Sequence, residues 1–278
     1  MTVRGSTGFH SVEWGDCLVS NDDVALLAEF TGRSRDEALS ELASYRPERM
    51  GEAWRRRDPV TAAQILAFYE DTDLYLWELL AWHGSAHYQP YLRRLDRMSS
   101  LWPPASYPRA LDYGAGIGTA AIRLAELGYR VTLADVSGPT LEFARARLER
   151  RGLQTAVVAV GGDAPALKRG AWDVLVYYDV VEHLPDPEGT TKELVRALVT
   201  GGGGAIVAGF TDGEERYPHH LRAAETRLGG YRWETFLRGL GLRPLGDRLY
   251  VKTKPLTRAA QRARYASWRL WELRRRRR

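Results

Sequence analysis

The chain has 278 residues, of which 44% are hydrophobic and 27% are charged, so we expect a packed globular core rather than wholesale disorder. The formal net charge of +5 is misleading, because residues 257–278 contain nine arginines and one glutamate and leave about −3 on the rest. No apolar run reaches the ~20 residues of a membrane helix, and the N-terminal residues lack the apolar segment of a signal peptide. The single cysteine, Cys17, excludes an internal disulfide, and these features together predict a cytoplasmic protein.

The first part of the chain, residues 21–100, has the apolar spacing that is typical of helices. Asn21 is the expected cap of the first helix, which Gly32 ends. Ser34 and Glu37 have the spacing of a capping box before a second helix. These signals predict consecutive helices at the start of the chain.

Further helices follow before a proline-rich segment. Asp58 and Pro59 have the arrangement that opens a helix, and Asp71 is the expected cap of the next one, DLYLWELLAWH. That helix is apolar around most of its circumference, so we expect it to be buried on more than one side. Three prolines in residues 102–108 cannot continue a helix. We therefore place a domain boundary there, with residues 1–102 forming an N-terminal helical cap.

The next part of the chain, residues 103–256, alternates strand and helix patterns. The predicted strands are ALDYG, RVTLADV, TAVVAVGGD, WDVLVYYD, AIVAGF, LRPLG and RLYVKTK, and the predicted helices are TAAIRLAELG, PTLEFARARLERRG, GTTKELVRALVTGG and ETFLRGLG. Alternation of this kind predicts an α/β fold of parallel strands with helices on both faces. Only Gly246 and Asp247 separate the last two strands, which suits a tight hairpin. We therefore expect a mostly parallel seven-stranded sheet with an antiparallel last strand.

A glycine-rich loop, Gly114-Ala115-Gly116-Ile117-Gly118, follows the first predicted strand. Glycine lets the backbone turn tightly and approach a ligand closely, and ligands of such sheets bind beyond the carboxyl ends of the strands. The spacing is G-x-G-x-G, which differs from the G-x-G-x-x-G of dinucleotide-binding loops. Asp112, two residues earlier, is unfavourable beside a pyrophosphate and suits a cationic ligand.

Acidic residues also follow the next two strands. Asp135 ends the second strand with Val136 beside it, about 20 residues after the loop, where an acid can bind ribose hydroxyls. Gly162, Asp163 and Ala164 end the third strand, where the acid can accept a hydrogen bond from an adenine amino group. The pattern predicts a ligand with ribose and adenine but without phosphate.

Together these residues resemble class I S-adenosylmethionine-dependent methyltransferases over roughly residues 90–255. The similarity is greatest to the small-molecule type related to ubiquinone-biosynthesis O-methyltransferases. Their fourth-strand pattern is matched here by Asp173-Val174 followed by Glu182-His183-Leu184-Pro185. The resemblance implies a Rossmann-like domain that uses S-adenosylmethionine as its cofactor.

The same resemblance implies roles for individual residues. In that family the D-x-G-x-G-x-G loop holds the methionine part of the cofactor, the acid after strand two binds the ribose, and an Asp-Ala pair after strand three contacts the adenine. By position, Tyr178 at the end of strand four borders the sulfonium, through its backbone carbonyl or its ring. The resemblance therefore implies transfer of a methyl group to an oxygen or nitrogen atom of an organic small molecule.

Four residues are candidate proton acceptors, which the reaction needs only if the nucleophile arrives protonated. Asp179 and His183 lie in the loop after strand four, and His219 and His220 follow strand five, with His220 favoured of the two. Packing is the alternative role for each of them. We assign no metal ligand, although Asp179, Glu182 and His183 with a histidine from 219–220 have spacing that can hold a divalent cation.

The two ends of the chain leave other functions open. Aromatic residues recur at helical spacing in the N-terminal region and either form core or wall an apolar acceptor pocket: Trp54, Phe68, Tyr69, Tyr75, Trp77, Trp82, Tyr88 and Tyr91, with His83 among them. The basic segment 257–278 can bind RNA phosphates or an anionic membrane, or it can pack on the domain. An RNA-directed methyltransferase or RNA-binding protein is therefore one alternative, and a nicotinamide-dependent oxidoreductase is another. The sequence indicates neither the acceptor nor the oligomeric state.

Overall fold

A computed structural model of the chain describes residues 20–161, 167–210, 217–229 and 231–253. Between residues 20 and 102 the described chain forms six α-helices and a 3-10 turn at Ala86–Tyr88, which together are called the helical cap. The helices are α1 (Asn21–Thr31), α2 (Arg35–Ser44), α3 (Glu48–Arg57), α4 (Ala62–Asp71), α5 (Leu74–His83) and α6 (Gln89–Leu101). Within the described ranges, no helix combines the length and the apolarity needed to cross a lipid bilayer.

The remaining elements form a seven-stranded sheet with helices on both faces. The strands are β1 (Arg109–Tyr113), β2 (Arg130–Asp135), β3 (Ala156–Ala159), β4 (Trp172–Tyr178), β5 (Leu198–Val207), β6 (Leu242–Gly246) and β7 (Leu249–Lys252). The helices are α7 (Thr119–Glu126), α8 (Pro139–Arg150), α9 (Pro187–Ala197), α10 (Arg222–Leu228) and α11 (Tyr231–Gly239). The order is β3-β2-β1-β4-β5-β7-β6, in which β7 runs antiparallel to both neighbours. The predicted fold is therefore confirmed.

The sheet has a topological switch point between β1 and β4. From β1, the strands β2 and β3 extend the sheet on one side, and β4 to β7 extend it on the other. Parallel sheets bind ligands at such a switch point, beyond the carboxyl ends of the two strands. One face of the sheet buries α6, α7 and α8, and the other buries α9 and α11. The fold thus leaves the carboxyl ends of β1 and β4 as the place for a site.

Several predicted helix starts are wrong. Ser20, not Asn21, caps α1, because Asp23 at the third helical position completes a reciprocal capping box with it. Asp58 ends the unpredicted helix α3 in a left-handed conformation, and Thr61 caps the helix that follows. The capping box at the start of α2 is confirmed.

Asp71 is the last residue of α4 and does not cap α5. The residue at the N-cap of α5 is Asp73, whose side chain makes no capping hydrogen bond. The hairpin joining β6 and β7 also turns at other residues than predicted. Asp247 and Arg248 both have positive φ, 51° and 57°, as a type I′ turn requires of its two central residues.

The predicted helix GTTKELVRALVTGG ends early, because its last residues belong to β5. Glycine is required at position 203, since a Cβ there would lie 2.1 Å from Cζ2 of Trp102. The Trp102 indole also donates a hydrogen bond from Nε1 to the Gly201 carbonyl (3.0 Å). The end of the helical cap is thereby attached to the middle of the sheet.

A buried arginine links the cap to the start of α7. Arg147 on α8 is fully buried and donates from Nε to Oδ1 of Asp23 on α1 (2.9 Å). Its Nη1 donates to the Ile117 carbonyl (2.5 Å) and to Thr119 Oγ1 (2.9 Å). Burial raises the pKa of Asp23, but the charge of Arg147 and hydrogen bonds from Arg147 and Arg151 lower it by more, so it lies well below its usual value.

The substitution Asp23→Asn tests this link. It leaves the Arg147 charge buried without a counter-ion, so we expect a loss of about 3–5 kcal/mol in the free energy of unfolding. Urea unfolding followed by circular dichroism measures it, with Asp22→Asn at the exposed neighbouring position as the control. Folding lowers the pKa of Asp23, so the stability that Asp23 contributes is fully present at pH values above the ordinary pKa of a carboxyl group. The difference in unfolding free energy between the parent chain and Asp23→Asn should therefore be greatest there and should shrink as the pH falls below that ordinary pKa. Equal urea midpoints for the two variants at pH 7 would contradict the assignment.

Candidate active site

The glycine loop lies between the carboxyl end of β1 and the start of α7. Gly114, Gly116 and Gly118 all have positive φ, from 53° to 74°, a region that L-residues with a Cβ rarely adopt. A Cβ on Gly114 would lie 2.2 Å from Cγ2 of Val180, which follows β4. The loop after β1 and the loop after β4 are therefore in direct contact.

Asp135, at the end of β2, holds the glycine loop. Its Oδ2 accepts a hydrogen bond from the Gly116 amide and its Oδ1 accepts one from the Val136 amide, both at 2.7 Å. Burial raises the pKa of Asp135 to about 6, although these two hydrogen bonds act in the opposite direction. Each carboxylate oxygen keeps acceptor capacity for a ligand hydroxyl.

Asp112, at the end of β1, is 3% exposed, and its Oδ2 has no hydrogen-bond partner among the described residues. Burial, followed by the nearby charge of Asp135, raises the pKa of Asp112 to about 7. A hydrogen bond with the Ala121 backbone lowers this pKa by less, and a buried carboxylate oxygen without a partner is unfavourable, so the position fits a positively charged ligand group. Gly162, Asp163 and Ala164, which the sequence assigns to adenine, lie outside the described residues.

The helical cap covers this edge of the sheet. A Cβ on Gly116 would lie 2.8 Å from Cδ1 of Leu79 on α5. On α4, the Glu70 carbonyl oxygen would lie 2.4 Å from a Cβ on Gly138. These contacts place α4 and α5 over the ends of β1 and β2, a position that local patterns in the sequence do not indicate.

Asp179 directly follows β4 and has a positive φ of 49°, which is uncommon for a residue with a Cβ. The Tyr91 hydroxyl donates a hydrogen bond to Oδ2 of Asp179 (2.7 Å), and the Tyr178 hydroxyl donates to the Tyr91 carbonyl (3.3 Å). Oδ1 of Asp179 is buried and has no hydrogen-bond partner within the described part of the chain. Burial raises the pKa of Asp179, against the effects of Tyr91 and Arg94.

The three predicted histidines form one cluster. His183 ends a 3-10 turn after β4, and His219 and His220 lie between β5 and α10. The Leu221 amide donates to the Glu182 carbonyl (2.7 Å), which fixes the second segment against the first. The rings of His183 and His219 are parallel with centroids 5.4 Å apart, and the His220 ring is nearly perpendicular to both, at 4.7 and 5.0 Å.

Burial keeps two imidazoles of the cluster, those of His183 and His219, neutral. It lowers the pKa of His183 well below the usual value, and His220 and His219 lower it further. Burial and then His220 lower the pKa of His219 to about 3. At neutral pH these rings therefore have nitrogen lone pairs that can accept a proton or bind a ligand.

The carboxylates of Glu182 and Asp179 form hydrogen bonds with groups outside the histidine cluster. Oε1 of Glu182 accepts a hydrogen bond from the Gly209 amide (2.8 Å), and Asp179 is held by Tyr91. In the described ranges, the side chains whose possible metal-binding atoms lie within 4.8 Å of one another are His183, His219 and His220. The structure thus groups three imidazoles, whereas the sequence suggested Asp179, Glu182 and His183 with one further histidine.

Aromatic side chains of the cap surround the cluster. Tyr69 lies edge-on to His183 with ring centroids 5.8 Å apart, and Trp54 and Tyr75 each lie 6.4 Å from His219. The Tyr69 hydroxyl is 3.1 Å from Nδ1 of His183. The sequence identified these aromatics, but the contact between Tyr69 and His183 spans 114 positions and no local pattern indicates it.

Comparisons with known proteins were consistent with this geometry. A family model described as a methyltransferase domain matches residues 111–206. A ubiquinone biosynthesis O-methyltransferase of Methylocella silvestris is 30% identical over 187 residues, which cover 66% of this chain and 68% of the relative. A protein of the same name from Thiobacillus denitrificans is 28% identical over 148 residues, which cover 51% of this chain and 61% of the relative, less than two thirds of its length.

Among solved structures, a putative methyltransferase from Bacillus halodurans matches 53% of this chain and 69% of its own, with 20% identity and a TM-score of 0.41. The residues that match the methyltransferase-domain model, 111–206, include the glycine loop and the strands β2, β3 and β4. The chain therefore belongs to the class I S-adenosylmethionine-dependent methyltransferases related to the ubiquinone-biosynthesis O-methyltransferases, and S-adenosylmethionine is its methyl donor.

Proposed function

We propose that this methyltransferase transfers a methyl group to an oxygen or nitrogen atom of an organic small molecule that binds beside Asp179 and the three histidines. The observation that carries the proposal is the position of this group of residues. Asp179 and His183 lie in the loop that follows β4, and Val180 of the same loop packs on Gly114 of the glycine loop. An acceptor at the cluster is thereby adjacent to the cofactor loop.

The residues at the end of β1 and β2 fit the cofactor. The unpartnered Oδ2 of Asp112 suits the positive charge of the methionine end, and the glycine loop leaves room for close backbone approach. Asp135 with Val136 would hold the ribose, and residues 162–164 would contact the adenine. S-adenosylmethionine supplies a methyl group on a sulfonium, which leaves to a nucleophile while the sulfur keeps the bonding electron pair. Tyr178 would border that charge through its ring or its carbonyl.

The cluster would receive the proton of the acceptor. A hydroxyl group is a weak nucleophile until a neighbouring base removes its proton, and a neutral imidazole or a carboxylate can do so. His219 and Asp179 each have a buried atom without a hydrogen-bond partner in the described segments. The name of the relatives favours oxygen over nitrogen as the atom that is methylated.

The aromatic residues of the cap favour an apolar or aromatic acceptor, because they exclude water from the cluster. We accordingly propose residues 1–102 as a cap, 103–256 as the catalytic domain and 257–278 as a basic tail. The tail lies outside the described residues, so RNA remains an outcome of the acceptor test below. A cytoplasmic location likewise stays a prediction from the sequence.

Replacing Asp135 tests the ribose assignment. A hydrogen bond to a charged group contributes about 1.5–3 kcal/mol, so Asp135→Ala should raise the dissociation constants of S-adenosylmethionine and its demethylated product roughly 10- to 100-fold. Isothermal titration calorimetry measures both, with Glu149→Gln on the exposed side of α8 as the control. Unchanged dissociation constants in a folded Asp135→Ala protein would refute the role, and no binding to the parent chain would refute the proposed function.

Cofactor affinity should also depend on pH. Asp112 and Asp135 have pKa values of about 7 and about 6 in the free protein, and a cationic ligand favours their ionised forms. Affinity should therefore fall between pH 8 and pH 6, by at most about tenfold per pH unit for each proton that binding displaces. A hydrogen bond with the Ala121 backbone acts on Asp112 in the opposite direction and lowers its pKa.

Calorimetry at pH 6, 7 and 8 measures this dependence. The isosteric variant Asp112→Asn should bind S-adenosylmethionine more weakly at pH 8 and with a flatter pH profile. If Asp112→Asn keeps the full dependence of the parent chain, another group is responsible for it.

Replacing Asp179 tests the acceptor site. Methyl transfer from labelled S-adenosylmethionine would be measured to a simple catechol, an aromatic amine and bulk RNA. We expect transfer to the catechol or the amine, and a kcat lowered roughly 100-fold or more in Asp179→Asn, because loss of a proton acceptor removes a factor of that order. The dissociation constant of the cofactor should change little. Transfer to RNA alone would contradict the proposal, and the parent kcat in the Asp179→Asn variant would exclude Asp179 as the proton acceptor.

A further inference from the structure

The histidine cluster has a feature that a proton acceptor does not need, namely three imidazoles around one point. His183, His219 and His220 each offer a ring nitrogen, and these three nitrogens lie within 4.8 Å of one another. Around a tetrahedral zinc ion with bonds of about 2.0 Å, ligand nitrogens are about 3.3 Å apart. The separation between two ring nitrogens would have to shorten by up to about 1.5 Å on binding.

The surroundings of His183 resemble the support of a metal ligand. Its Nδ1 lies 3.2 Å from the His219 carbonyl oxygen, which can only accept a hydrogen bond, so this contact is a hydrogen bond when Nδ1 carries the proton. The Tyr69 hydroxyl lies 3.1 Å from the same nitrogen and donates to the same carbonyl (3.3 Å). This arrangement leaves the lone pair on Nε2, as in ligating histidines whose other nitrogen donates to a carbonyl.

His219 provides an independent observation. Its side chain is 2% exposed, and its Nδ1 has no hydrogen-bond partner among the residues that the structure describes. A buried ring nitrogen without a partner is unfavourable unless a ligand satisfies it. His183 and His220 are only partly buried, so the cluster can be reached.

The charge near the cluster also suits a cation. The carboxylates of Asp179 and Glu182 both approach Gly209, since a Cβ there would lie 3.1 Å from Oδ1 of the aspartate and 2.3 Å from Oε1 of the glutamate. Their negative charges can balance a divalent ion without being its ligands. Imidazole ligands select zinc, copper, nickel or cobalt rather than magnesium or calcium.

We propose that His183, His219 and His220 bind one divalent transition-metal ion of the zinc type. Three protein ligands leave a coordination position open, as in catalytic rather than structural zinc sites. An acceptor hydroxyl bound there loses its proton more readily. The proposal goes beyond the proposed function, because methyl transfer with a histidine base needs no metal.

Metal binding to the full chain, prepared without a histidine tag and stripped with a chelator, tests the proposal. Zn²⁺ is titrated by calorimetry, and Co²⁺ is followed by the visible absorption of its four-coordinate form. We expect one ion per chain for each metal. His87, which is exposed and stacked on Trp82, provides the matched control His87→Ala.

The variant His219→Phe keeps an aromatic ring against Trp54 and Tyr75, so it should fold, as circular dichroism will check. It should lose more affinity for Zn²⁺ than Tyr69→Phe, for which the expected loss is roughly 10- to 100-fold. His87→Ala should bind Zn²⁺ as the parent chain does. Absence of a stoichiometric ion in the parent chain, or parent-like affinity in folded His219→Phe, would overturn the proposal.

The same preparations are titrated with S-adenosylmethionine. If the cofactor binds and no metal does, the metal site alone is refuted and the proposed function stands. If the metal binds and the cofactor does not, the proposed function is refuted and the metal site stands.

Discussion

The rest of the structure depends on the burial of one arginine. The charge of Arg147 is unfavourable inside the protein unless every donor finds an acceptor, and its acceptors come from three different segments. Asp23 belongs to the cap, the Ile117 carbonyl to the glycine loop, and Thr119 to the first turn of α7. Satisfying this one side chain therefore fixes the position of the cap relative to the loop.

Because of this link, the packing of the cap and the conformation of the glycine loop depend on each other. His83 on α5 is hydrogen-bonded through Nδ1 to Thr119 (2.8 Å), and Leu79 on the same helix packs against Gly116. A side chain at position 116 would push α5 away, and movement of α5 would uncover the loop. The helices before the sheet are therefore part of the site, and an isolated sheet domain would lack one of its walls.

The sequence predicts what depends on neighbouring residues and misses what depends on distant ones. The alternation of strands and helices, the glycine loop and the antiparallel last strand of the sheet follow from local patterns. Helix α3 is not predicted from the sequence, because its buried residues are Met50, Gly51 and Trp54 and the rest of the segment is mostly polar, so the apolar periodicity of a helix is weak. The sequence pattern predicts the end of a helix at the glycines of β5. Glycine is needed there because Trp102, about 100 positions earlier, packs against this strand, and no local pattern indicates that contact. The roles proposed for the site residues stay predictions for the same reason, since ligand contacts are not local either.

Burial has opposite effects on the two halves of the site. It raises the pKa values of Asp112 and Asp135 and lowers those of His183 and His219, so at neutral pH the acidic half is less than fully ionised and these two histidines are uncharged in the free protein. Protonated histidines would repel a cationic cofactor, and ionised aspartates without a cation would be unfavourable. The neutral histidines therefore permit the acidic half to bind positive charge. Because a cation beside the aspartates restores their ionised form, cofactor binding and proton release become coupled at the ends of β1 and β2.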